Sequence, residues 1–139
     1  SLPKEYADKV KIDRLSKKKN QLRLDIIVIN KQLKKLNDEQ LTITTNTEKE
    51  IYKLKKNFEL NIDKLNVALA SAKATSSVDA LNAKIELLTQ KCADVVKQKN
   101  QEISNKLATL TDEITRLEAK RIKTDAQIEE INTLLSQFN

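Results

Sequence analysis

The residues of this chain whose types could do chemistry are one cysteine and several clusters of lysine. Cys92 stands alone, and the 139 residues include no histidine and no glycine. A single thiol without histidine cannot form an intramolecular disulfide, a Cys/His zinc site or a thiol–imidazole pair. Without glycine there is also no phosphate-binding loop or nucleophile elbow. We therefore expect no catalytic, cofactor-binding or metal site in this chain.

The lysines are the second candidate, because clustered ammonium groups can bind phosphate. The formal net charge is +6, and residues 1–75 hold 17 Lys and Arg against 10 Asp and Glu, whereas residues 76–139 hold 9 against 10. Neither interleaved aromatic residues nor a recognition motif accompanies the lysines, so a solvated charged face is favoured over nucleic-acid contact. The candidate phosphate contacts are Lys17, Lys18, Lys19, Lys34, Lys35, Lys53, Lys55 and Lys56.

The elements that must position these residues are long helices. The chain is 39% hydrophobic and 33% charged, but only 3% aromatic. Ordinary domains contain roughly 7% glycine for their turns, so its absence argues against a compact fold. The longest apolar run, residues 26–29, is too short to span a membrane, and the N-terminus has no secretory signal. Because the chain begins at Ser1, we expect it to be a piece of a longer protein.

The apolar residues of the first stretch follow a heptad pattern, which is typical of a coiled coil. Two steps of four, from Ile43 through Thr47 to Ile51, then interrupt the pattern as a stutter. Residues 42–47 are also poor in helix formers, so we predict an elbow there. The two heptad rows are Leu15, Leu22, Ile29, Leu36 and Ile43, with Ile12, Ile26 and Leu33 on the companion row.

The second stretch restarts the apolar row at Val78 and Leu81, out of phase with the first. Ser76 followed by Asp79 has the spacing of a helix start, with the serine as the cap. The sequence therefore predicts a first arm over 4–72, a turn over 73–77 and a second arm over 78–138.

Folding the chain at this turn places residue i opposite residue 150 − i, and the two apolar rows then coincide along their whole length. Leu36 meets Ile114, Leu65 meets Ile85, and the stutter of 42–47 falls opposite the second one at 98–103. A parallel in-register dimer would instead place Lys99 and Arg121 against their own copies. The sequence therefore predicts an all-α fold, a long antiparallel coiled-coil helical hairpin with arms on the order of 95 Å.

The outward faces offer a candidate partner patch at Leu24, Ile27 and Val28. Scattered exposed apolar residues are ordinary, so chance is the competing explanation. Cys92 falls opposite Phe58, which favours a buried small hydrophobe over a reactive thiol.

In architecture the predicted hairpin resembles the antiparallel arms of the chromosome-maintenance ATPases and of the zinc-hook ATPases. Its tip reads Ala74-Thr75-Ser76-Ser77, without hook cysteines or a hinge domain. It is also similar in outline to the tRNA-reaching hairpin of seryl-tRNA synthetases and to the receptor-reaching hairpins of some bacterial toxins.

We expect a non-catalytic arm of a larger protein that acts as a rigid spacer and protein-docking element. Its partner would be another protein, the parent body or a second copy, and not a membrane. One alternative is a basic nucleic-acid-binding arm. The other is a segment of a parallel oligomeric fibre or filament.

Overall fold

The computed structural model describes residues 2–138 and consists of two helices packed against each other. Helix α1 spans Leu2–Ser71 with 70 residues, and helix α2 spans Thr75–Ser136 with 62 residues. Over the described range no residue lies in a strand. The predicted all-α helical hairpin is therefore confirmed, and the chain is not one continuous helix.

Composition explains why both helices are so long. The chain offers no glycine to end a helix, and its single proline, Pro3, lies in the first turn of α1. Proline is tolerated there because the N–H groups of the first turn have no intrahelical acceptor. Nothing between Pro3 and Ser71 therefore interrupts the backbone hydrogen bonds of α1.

The connection between the helices is shorter than the sequence predicted. It comprises residues 72–74, so α1 ends one residue before the predicted position 72 and α2 begins three residues before the predicted position 78. The N–H of Val78 donates to the carbonyl of Ala74 at 3.0 Å, which makes Ala74 the residue at the N-cap position. The cap predicted at Ser76 is wrong, because Ser76 already lies inside the first turn of α2.

The far end of α2 also differs slightly from the prediction, which extended the second arm to position 138. The helix ends at Ser136, and the N–H groups of Gln137 and Phe138 donate to carbonyls three residues earlier, at 3.2 and 3.1 Å. Such tightened bonds are common in the last turn of a helix.

The chain divides into two compact units, and the first combines residues up to Glu39 with residues from Leu110 onward. This unit holds the buried core. Its central cluster is fully enclosed between the two helices, and Leu110 packs against it from a partly buried position. Ile131 and Thr124 are buried nearer the end of α2. The central cluster consists of Ile29, Leu33, Leu36, Ile114 and Leu117.

The predicted register holds in this first unit. Nη1 of Arg121 donates to Oδ1 of Asn30 at 3.3 Å, one residue from the predicted partner of Arg121, Ile29. Leu36 and Leu117 also line one groove, as facing heptad rows require.

The second unit covers residues 40–109 and contains no buried residue. Its apolar rows are half-buried at steps of three and four, as predicted, and the facing residues again match the predicted register. Phe58 and Cys92 line one groove, and Thr47 and Ile103 line another.

Both helices continue without interruption through the two stutters. Residues 42–47 and 98–103 are helical throughout. The hydroxyl of Thr44 donates to the carbonyl of Gln40 at 2.9 Å, which satisfies a β-branched polar side chain inside the helix. The chain therefore does not break at 42–47, and a bend at this position stays a prediction.

We expect the heptad core of the first unit to dominate stability. Ile29 is 2% exposed and Ile27, on the same helix two residues away, is 51% exposed. Ile29→Ala should lower the free energy of unfolding by about 2–4 kcal/mol, because it leaves a cavity between the helices. Ile27→Ala, the matched control, should change it by less than about 0.5 kcal/mol. Urea denaturation followed by circular dichroism measures both, and equal effects would contradict the core as described.

The N-cap position of α2 leads to a second prediction. Ala74 has no side-chain acceptor, so Ala74→Asp should add about 1 kcal/mol to the free energy of unfolding by accepting an orphan N–H of α2. Ser76→Ala should have almost no effect, since that residue lies within the helix. A loss of about 1 kcal/mol on Ser76→Ala would instead place the cap where the sequence predicted it.

Candidate functional site

The facing heptad rows of α1 and α2 are called the seam below. Cys92 lies half-buried on the seam of the second unit and forms no disulfide. It lines a groove together with Phe58, its predicted partner. Nowhere in residues 2–138 do three or more His, Cys, Asp or Glu side chains lie close enough to hold a metal ion. The environment of Cys92 is therefore that of a packing residue.

The eight candidate phosphate-binding lysines do not form one surface. Lys19 is half-buried on the seam, whereas the other seven are exposed. Lys34 directly follows the buried Leu33, and Lys35 directly precedes the buried Leu36. At 100° per residue these two lysines project on opposite sides of the seam. The lysines are thus distributed around α1 rather than aligned along a phosphate track.

Lys56, one of these lysines, already makes contacts within the chain. Nζ of Lys56 lies 3.5 Å from Oε2 of Glu59 and 5.7 Å from the centroid of the Tyr52 ring. Both carboxylate and aromatic ring compete with phosphate for this ammonium group. Lys55 lies on the rim of the groove beside Phe58.

The predicted partner patch is exposed to solvent. Leu24, Ile27 and Val28 are each more than half exposed, and they lie on α1 outside the rows that face α2. The structure brings them together on one turn of helix, but it does not set them apart from other exposed apolar residues. The remaining large exposed ones include Tyr6, Leu41, Tyr52, Leu60, Val67, Leu87 and Ile122.

Polar residues on the seam keep their charged or polar ends in contact with neighbours. Nζ of Lys99 lies 3.6 Å from Oε2 of Glu50 across the hairpin and 4.0 Å from Oε2 of Glu102 on its own helix. The hydroxyl of the buried Thr124 donates to the carbonyl of Lys120 at 2.8 Å. Long side chains can thereby cover apolar neighbours while their ends stay solvated.

The second unit contains a groove, here called the Phe58 groove, with a volume of about 590 Å³. Its floor is apolar and its rim carries charges of both signs. Sequence reasoning did not predict it. In α2, the residues that directly follow the seam residues between positions 88 and 107 are all uncharged. This pattern in the sequence could have indicated the groove. The groove is lined by Lys55, Phe58, Glu59, Ile62, Thr89, Cys92, Ala93, Val96, Lys97 and Asn100.

The opposite flank of the second unit is lined by residues of different types. Glu102 and Lys106 line a second groove beside Ile103, and Lys84 and Leu87 line a third beside Leu65. Each of these four residues comes directly before a seam residue in the sequence. Ala93 and Val96 each come directly after one. The two flanks of α2 therefore differ in charge within one unit.

No protein-family model, curated protein or solved structure matches the chain. Within the described part of the chain, neither helix is long and apolar enough to cross a membrane. The fold and the surfaces described above are therefore the basis for assigning a function.

The scattered lysines predict weak nucleic-acid binding. Fluorescence anisotropy with duplex DNA and duplex RNA should give no binding at ~0.15 M salt, because few phosphates can be neutralised at once. Binding that persists at this salt concentration and is lost on combined Lys17→Gln, Lys18→Gln, Lys34→Gln and Lys35→Gln would contradict this and favour a nucleic-acid-binding arm.

Proposed function

We propose that this chain is a non-catalytic coiled-coil arm that serves a larger protein as a rigid spacer and protein-docking element. The proposal rests on where the apolar residues lie, which is between the two helices. Nearly all positions on two rows of each helix are buried or half-buried against the other helix. Side chains that could do chemistry are spread over the remaining surface without converging.

The spacing of the half-buried residues supports a coiled coil. Along α1 they fall at steps of three and four from Ile12 to Leu69, and along α2 from Val78 to Leu135. This is the spacing that keeps one narrow face of each helix turned toward its partner. Because the turns between these residues are held in this way, bending either arm there would require many contacts to open together.

Exposed apolar side chains support a docking role. A solvated coiled-coil surface is ordinarily charged, yet Ile27, Tyr52 and Ile122 are each more than half exposed. Aromatic and large aliphatic residues are those most often used as anchors in protein interfaces. The arms of chromosome-maintenance and zinc-hook ATPases are one setting with this architecture, and attachment to such a parent protein is part of the proposal.

Small-angle X-ray scattering with in-line light scattering on the full chain tests the spacer. At 1.5 Å per residue, the 70 residues of α1 should give a single hairpin a maximum dimension of about 105 Å. A particle of that dimension with a single, sharply defined cross-section supports the proposal. A broad distribution of dimensions, as for a flexible chain, would contradict a rigid spacer.

A further inference from the structure

We propose that the Phe58 groove is the docking site for a second copy of this chain, which packs against it antiparallel about a two-fold axis. This inference deepens the proposed docking role by naming the partner. It concerns only the second unit, residues 40–109.

The first reason is that the second unit leaves its apolar seam incompletely covered. Not one of residues 40–109 is buried, although the seam carries large side chains such as Phe58 and Ile62. Both of these line the groove, where they face solvent from one side. The same two helices bury Ile29, Leu33 and Leu117 in the first unit. The second unit differs in leaving its seam open on one side, and a further helix layer would cover that side.

The second reason is the low charge of one flank of α2, where Lys97 is the one charged α2 residue among those that line the groove. The positions that follow the seam from 89 to 108 contain no charged residue, and four of them line the groove. The positions that precede the seam carry Lys91, Asp94, Glu102 and Lys106 over the same stretch. A hairpin solvated on both sides has no need for this difference. The uncharged positions are Thr89, Ala93, Val96, Asn100, Ser104 and Ala108.

The third reason identifies the occupant as a second copy. Lys55 and Glu59 lie on the rim of the groove, four residues apart on α1. A two-fold axis perpendicular to α1 at residue 57 exchanges these positions, so that Lys55 of each copy meets Glu59 of the other. The rim is therefore complementary in charge to itself, as an isologous interface requires.

The same two-fold axis also allows close contact between the α2 helices of the two copies. Facing residues in this unit have numbers that sum to about 150, as the contact between Glu50 and Lys99 indicates. Residue 57 therefore lies level with Ala93, and the axis brings the two copies of Ala93 face to face. A small side chain at this point lets the backbones of two helices approach closely.

The exposed tyrosine of the second unit also fits this arrangement. Tyr52 is 63% exposed and lies five residues before position 57. Ile62, which lines the groove, lies five residues after it. The two-fold axis thus places the aromatic ring of each copy at the level of the uncovered Ile62 of the other, where it would cover apolar surface.

The amount of exposed surface is sufficient for such an interface. The chain exposes 10637 Å², against about 7,400 Å² for a compact monomer of this mass. A standard interface buries about 1,600 Å² in total. A dimer of this size could therefore form without altering the hairpin.

Sedimentation equilibrium of the full chain over a range of concentrations is the first test. We expect a reversible dimer of twice 15.9 kDa. Ala93→Glu places like charges on the axis and should weaken dimerisation by at least about 100-fold. Ala80→Glu makes the same change at an exposed position on the other flank of α2 and should leave it unchanged. Circular dichroism of both variants checks that the helices remain folded.

A charge exchange tests the two-fold pairing. Glu59→Lys should weaken the dimer by about 10-fold, since two pairs become repulsive. Adding Lys55→Glu to it should restore the dimer. Both variants lose the contact between Lys56 and Glu59 within the chain. Positions 55 and 59 are also i,i+4 neighbours on α1, so thermal unfolding of both variants at a concentration where they are monomeric measures the effect within one helix. A recovery of the dimer larger than that effect is due to pairing between copies.

A disulfide test checks the register. In a Cys92→Ala background, Ala93→Cys should form a crosslinked dimer on mild oxidation, and Ala108→Cys, on the same flank but 15 positions away, should not. A chain that is monomeric at all concentrations, a dimer indifferent to Ala93→Glu, or equal crosslinking at both positions would each overturn the proposal. The scattering test of the spacer is read at a concentration where the light-scattering mass is that of one chain, because a dimer about this axis would be longer than one hairpin.

Discussion

The structure depends on one constraint, which is that each helix carries a narrow apolar face that it cannot bury alone. Steps of three and four residues place one continuous apolar stripe on about a third of the surface of each helix. A short connection at 72–74 then makes the other helix of the same chain the nearest surface that can cover this face. Hairpin formation follows from the spacing together with the position of the turn.

The apolar faces of the two helices are covered to different extents along the chain. In the first unit, residues such as Leu33 and Leu117 are enclosed almost completely, each at 5% exposure. In the second unit the seam contains Lys99 and Thr47, and none of residues 40–109 is buried. The Phe58 groove lies in this less covered unit. The proposed interaction between copies thus uses the unit whose seam is covered least within one copy.

The repeat made the pairing of the arms predictable. Facing residues such as Phe58 and Cys92 follow from the spacing together with the position of the turn, because a heptad row matches its reverse at every shift of seven residues and the turn and the stutters select one of these registers. The turn was predicted less well. The N–H of Val78 bonds to Ala74 rather than being capped by Ser76, since a serine within the first turn can also continue a helix, and no glycine or proline fixes the boundary. The groove could not be predicted from the repeat, because it depends on how far side chains such as Ile62 turn from the seam. Whether the patch at Leu24, Ile27 and Val28 binds a partner is equally independent of the periodicity.

Pulsed electron paramagnetic resonance would test the antiparallel pairing most directly. Lys49 and Gln101 are exposed and lie opposite each other in the register described above. Nitroxide labels on cysteines at these two positions, in a Cys92→Ala background and diluted with unlabelled chain, report the distance within one molecule. The hairpin predicts a single short distance of roughly 20–30 Å, from helix axes about 10 Å apart and two labels projecting outward. A distance near 78 Å, the rise of 52 residues in one continuous helix, would contradict it.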